Sequence, residues 1–84
     1  MTKEELIDKL KEIVKPYVKN EEGFNNLNEN TDFLNDLKIN SANLVDVILD
    51  IENEFDIIID NDSMEKMLNV NAAIEIINSK LAEK

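Results

Sequence analysis

The stretch Asp36-Leu37-Lys38-Ile39-Asn40-Ser41-Ala42-Asn43-Leu44 opens a helix that should run to about Asp56 and around which the rest of the chain is organised. It sets one hydroxyl, Ser41, where a loop becomes a helix. Behind it Leu44, Val47, Ile48, Ile51 and Phe55 recur at helical spacing and form an inward stripe. Asp46, Asp50 and Glu54 lie nearly opposite, four apart, and repel one another slightly. Val45 and Leu49 are apolar but flank the acidic side. They either broaden the core face or form an exposed apolar patch for a partner. The rest of the chain is read as a scaffold that holds this helix and presents Ser41 to other proteins.

The charge is local. From Ile39 to Glu65 there are eight acidic residues and no basic one, so this segment carries −8 of the total −10, which argues against a uniformly solvated surface. All nine basic residues are Lys. A pI near 4.3 disfavours nucleic acid and anionic membranes as partners and favours basic protein surfaces. No segment approaches the ~18 apolar residues of a membrane span, and Met1-Thr2-Lys3-Glu4-Glu5-Leu6 has no apolar leader core, so the expected location is the cytosol.

The 84 residues are expected to form one domain over 1–84, a monomer of modest stability, because a chain this size buries roughly 60–65% of its unfolded surface. Residues 3–18 read as an amphipathic helix with Leu6, Leu10, Ile13 and Tyr17 on its stripe and Ile7 and Val14 widening it. Thr2 with Glu5 makes a capping box. Pro16 should end or kink this helix close to residue 15. Residues 19–36 form a long polar connection, with Phe24, Leu27, Phe33 and Leu34 as anchors and a helical turn at Asp32–Leu37. The main helix spans about Ser41–Phe55. Residues 56–60 form an extended connection with alternate side chains buried, since no second β-run exists to pair with it. A short helix over 63–68 turns Met64, Met67 and Leu68 inward. A last helix over 71–82 buries Ala73, Ile74, Ile77 and Leu81. The expected fold is all-α: an irregular four-helix bundle of three longer helices and one short one, with a long first loop.

Catalytic chemistry finds little to work with. There is no His and no Cys, so neither a Ser/His/Asp nor a Cys/His arrangement can form, and no thiolate metal site either. One Gly in the chain excludes a Rossmann fingerprint and a P-loop. A calcium loop starting at Asp60 would need Gly at its sixth position and Glu at its twelfth, where Glu65 and Asn71 stand. No enzymatic activity and no metal site are expected. What remains is Ser41. A Ser before an apolar helical run is ordinarily an N-cap. Here Asn40 is itself a good cap, the neighbours Ala42 and Asn43 are small or neutral, and Asp46 is the first acid in the helix. A helix N-terminus attracts phosphate through its free N–H groups and dipole.

At this point the whole chain resembles an acyl carrier protein. That family's signature is a polar or acidic residue, Ser, then a hydrophobic residue, usually Asp-Ser-Leu, opening an acidic helix that closes in a Glu-Glu-Phe-like run. Here it stands as Asn40-Ser41-Ala42, leading through Val45, Asp46 and Leu49 to Glu52-Asn53-Glu54-Phe55-Asp56. Upstream, Thr31-Asp32-Phe33-Leu34-Asn35-Asp36-Leu37 resembles the family's Thr-x-Phe-x-x-Asp-Leu approach.

The resemblance implies that Ser41 carries 4′-phosphopantetheine, installed from coenzyme A by a phosphopantetheinyl transferase that uses Mg²⁺. It also implies that acyl groups ride as thioesters on the arm's thiol, the nucleophile a Cys-free chain lacks. Docking onto basic patches of acyl-transferring and chain-elongating enzymes would fall to Asn40, Ala42, Val45, Asp46, Leu49, Glu52 and Glu54. A bundle interior lined by Leu44, Val47, Ile48, Ile51, Ile59, Leu68 and Ile74 would admit an acyl chain. Asn40 for the usual Asp, Ala42 for Leu, and Asn53 for an acid point away from primary fatty-acid synthesis. They point toward a specialised polyketide or aryl-polyene-type lipid or pigment pathway. The alternative is an unmodified carrier-like bundle that acts only as an acidic interaction module.

Overall fold

The computed structural model describes residues 2–83. Among these described residues five α-helices follow in order: α1 (Lys3–Val14), α2 (Glu21–Asn25), α3 (Ser41–Phe55), α4 (Asn61–Lys66) and α5 (Val70–Ala82). A 3₁₀ turn over Lys15–Tyr17 finishes α1, with Pro16 inside it. The missing N–H of proline ends the α-helical ladder there, as expected. The expected four helices become five because the long first connection contains α2. No helix among the described residues is long and apolar enough to cross a membrane.

Each of the four longer-separated helix starts is fixed by a side chain from the residue just outside it. Thr2 and Glu5 form the reciprocal capping box on α1. Asn40 caps α3, Asp60 caps α4 and Asn69 caps α5, each accepting the N–H three residues on at 2.8 Å. Such caps satisfy donors that the first turn leaves open. They also correct two boundaries. The fourth helix starts at Asn61 rather than Ser63, and the last at Val70 rather than Asn71, because Asp60 and Asn69 are the cap residues.

One hydrophobic core runs through the bundle. Leu6, Leu10 and Val14 of α1 meet Val47, Ile48 and Ile51 of α3 and Ala73, Ile74 and Ile77 of α5. Phe33 and Leu37 plug it from the first connection, and Ile57 and Ile59 from the segment after α3. Between them Ile58 points outward, 83% exposed, as the period-two reading required.

The first connection is held by backbone bonds. Phe33 N–H donates to Leu68 O, Val70 N–H to Thr31 O and Asn71 N–H to Glu29 O, at 2.9–3.0 Å. Asp32 and Asn69 form an isolated antiparallel bridge. The turn expected over Asp32–Leu37 is present. The Asp32 carboxylate accepts from Leu34 and Asn35 N–H, and the Asp36 carboxylate accepts from Asp32 N–H. Leu68 departs from its reading. It is 45% exposed rather than inward, because α4 ends at Lys66 and residue 68 is used for backbone pairing with the first connection.

The single glycine has a packing reason. A β-carbon at Gly23 would stand 2.1 Å from the Asp36 carbonyl oxygen. The Asn20 side-chain amide donates to that same oxygen at 2.8 Å. So α2 is seated directly on the backbone that leads into α3.

Candidate functional site

Ser41 is the first residue of α3, and Asn40 performs the cap. Asn40 has extended backbone (φ −78°, ψ 166°), and its Oδ1 accepts from Asn43 N–H at 2.8 Å. The Ser41 side chain is exposed and has no hydrogen-bond partner among the described residues. A serine at N-cap would have its oxygen committed to the helix; one position later the hydroxyl is available.

The surroundings suit a negative substituent. The first turn of α3 contains no acidic residue, and an anion there gains from the positive end of the helix dipole. Just upstream, Lys38 has left-handed backbone at φ 58°. That turn lets Leu37 and Ile39 both go into the core, with Ile39 N–H donating to Phe33 O at 3.1 Å.

From Ser41 the outward surface of α3 continues through Val45 and Leu49 at successive turns, 44% and 48% exposed, with Ala42 and Asp46 exposed beside them. Val45 and Leu49 are thus exposed and do not broaden the buried core face. Ile58 and Leu68 are the other exposed large aliphatics among the described residues.

The acids of α3 divide. Asp46 has no partner among the described residues. Asp50 accepts the Tyr17 hydroxyl at 2.8 Å, which raises the Tyr17 pKa. Glu54 accepts from Lys9 Nζ at 3.0 Å, raising the Lys9 pKa. Glu52 is half-buried, and its Oε2 accepts Ile59 N–H at 2.8 Å. The predicted set is therefore brought onto one helix but in two conditions. Ser41, Ala42, Val45, Asp46 and Leu49 are free outward, while Asn40, Glu52 and Glu54 are engaged inside the chain.

No family model matches the chain, and no curated protein does. Among solved structures it is similar to the acyl carrier protein from Enterococcus faecalis, described for structural components that contribute to its high thermal stability. The two are 28% identical with a TM-score of 0.75, over 95% of this chain and 99% of that one. The chain is an acyl-carrier-type bundle.

Within that acyl-carrier bundle three features had no signal in the sequence. One is the left-handed backbone at Lys38. Another is the Gly23–Asp36 approach. The third is the use of Glu52 as a backbone acceptor. A glycine, asparagine or aspartate is the usual marker of left-handed backbone, and Lys is not. The other two are contacts between segments.

Proposed function

We propose that this chain carries acyl groups as thioesters on a 4′-phosphopantetheine arm esterified to Ser41 and delivers them to partner enzymes. The single observation that carries this reading is the division of labour at α3: Asn40 caps the helix and leaves the Ser41 hydroxyl exposed and unengaged. The likeness to an acyl carrier protein supports it. The site also fits the group. The first turn of α3 offers its dipole, no acid and small flanking side chains to a phosphodiester.

In the loading step the Ser41 oxygen bonds to the pantetheine-side phosphorus of coenzyme A. The phosphoanhydride bond breaks, adenosine 3′,5′-bisphosphate leaves, and the hydroxyl proton passes to the transferase, which supplies Mg²⁺. The arm contributes the thiol. The chain's own part is presentation. Asp46 gives the unpaired charge that orients basic partners, and Ala42, Val45 and Leu49 give apolar contact. The transferase and acyl-transferring or chain-elongating enzymes are the partners. Asn40 and Ala42 fit a specialised polyketide-like or lipid pathway. The chain acts as a monomeric single domain in the cytosol, without enzymatic activity of its own.

The test is to incubate the apo protein with coenzyme A, Mg²⁺ and a broad-specificity transferase, then to weigh it. A gain of one phosphopantetheine group in wild type and none in Ser41→Ala is expected. No gain on intact protein, or a gain that survives Ser41→Ala, favours the unmodified interaction module instead.

A further inference from the structure

Lys38 is the only cation between Asn20 and Glu65. Its left-handed backbone, φ 58°, is unfavourable for a residue with a β-carbon, a penalty glycine avoids and asparagine softens. The chain on both sides holds it there: Lys19 N–H donates to Leu37 O, and Ile39 N–H to Phe33 O, each at 3.1 Å. The Lys38 side chain is exposed and makes no ion pair among the described residues, despite the acidic surroundings.

Lys38 lines an open groove of about 430 Å³ between α2 and residues 35–38. The groove lies toward the Ser41 end of the molecule, because Lys19, Asn20 and Gly23 all meet the 36–37 backbone, four to five residues before Ser41. Apart from Gly23, the residues that line it are polar or charged in type. Asn30 and Asn35 line it with side-chain amides that have no partner among the described residues. Of its two acids, Asp36 already accepts from Asp32 N–H, and Glu22 is left as the open anion. The volume falls in the usual range for small-molecule sites.

We propose that this groove is the resting seat of the phosphopantetheine arm, with Lys38 paired to the phosphodiester on Ser41 and the groove's asparagines meeting the arm's amides. The inference rests on the Ser41 reading above. The chemistry matches along its length: an anion near the Lys38 cation, with Lys19 also close through its backbone bond to Leu37, then a hydroxyl and two amides against amide side chains. An exposed ion pair is weak, so the seat holds the arm between encounters and releases it readily to a partner.

The test uses the loaded protein, with loading checked by mass, and reads NMR cross-relaxation from the arm's geminal methyl groups. Contacts to Gly23 Hα and to the Asn35 side-chain amide are expected. Lys38→Asn removes the charge while suiting left-handed backbone, so the fold is kept; it should weaken those contacts roughly two- to fivefold, the scale of one exposed pair. Lys38→Arg should retain them, and high salt should weaken them in wild type. Contacts confined to Val45, Leu49 and Leu68, or contacts unchanged in Lys38→Asn, would overturn the seat while leaving Ser41 as the attachment point. Absence of a mass gain would overturn both.

Discussion

The Glu52 carboxylate accepts the backbone N–H of Ile59 at 2.8 Å, so an acid of the helix behind Ser41 fastens the segment that follows it. Seven residues separate the two. The bond fixes residues 57–60 in the extended form that buries Ile57 and Ile59. Glu52→Ala should therefore lower stability by about 1 kcal/mol, and Glu52→Gln by less, since an amide oxygen still accepts. Asp46→Lys, at an unpartnered position, should leave stability within about 0.5 kcal/mol but slow transfer by a basic partner at low salt. Denaturant melts of the three variants, paired with transfer rates at two salt concentrations, check this. Equal stability loss in Asp46→Lys and Glu52→Ala would refute the division.

Asn40 and Ser41 make a second pair with opposite expectations. Asn40→Ala should cost about 1 kcal/mol of stability through the lost cap. That is a fall of roughly 4–8 °C in melting temperature for a domain this size. Asn40→Asp should keep the cap and gain from the helix dipole. Ser41→Ala should hardly move the melting temperature while abolishing modification. A large stability loss in Ser41→Ala would mean that its hydroxyl serves the fold.

Gly23→Ala should be among the more damaging single-methyl additions. The new methyl meets a backbone carbonyl, which cannot rotate away as a side chain would, at 2.1 Å. Overpacking of this kind costs about 1–3 kcal/mol. The amide signals of α2 and residues 35–38 should shift far more than those of α5. A Gly23→Ala protein with wild-type stability and unchanged Asp36 signals would contradict the close approach.

Two pH dependences follow from hydrogen-bonded titrating groups. Hydrogen bonds from Ser63 hold the Asp60 carboxyl below its usual value, with Lys80 adding a smaller pull. A lowered acid stabilises above its unfolded value, and this is lost as pH falls through the folded one. The advantage of wild type over Asp60→Asn should thus be present at pH 7 and disappear below pH about 4. Tyr17 goes the other way: its hydroxyl donates to Asp50, which raises its pKa. The advantage over Tyr17→Phe should be complete at neutral pH and fade as pH climbs beyond about 10. Melting curves across pH for both pairs measure it; a Tyr17→Phe gap that widened at high pH would reverse the sign.

Much of this fold was legible locally. Thr2, Asn40, Asp60 and Asn69 are cap residues by type, and each caps a helix. Capping concerns a side chain and an N–H three residues away, so the sequence contains both partners. The stripe on α3 was legible for the same reason, because helical periodicity puts Leu44, Val47, Ile48, Ile51 and Phe55 on one side before any partner is known. The prolyl ring at Pro16 likewise acts on its own turn. The boundary errors at α4 and α5 arose where two cap-type residues stood close together, and local chemistry did not choose between them.

Local chemistry thus settled the existence of α1, α3, α4 and α5, the core face of α3 and the exposed place of Ser41, because neighbours in the chain decide each of these. The tertiary structure alone decided what depends on segments far apart. It sat α2 on the Asp36 carbonyl, which is why the only glycine stands at 23. It paired residues 29–33 with 68–71, which turned Leu68 outward. It committed Glu52 to Ile59, Asp50 to Tyr17 and Glu54 to Lys9, leaving Asp46, beside Val45 and Leu49, as the α3 acid without a partner among the described residues. An acid's charge is written in the sequence; whether a partner within the chain uses its oxygens is settled only when the helices pack.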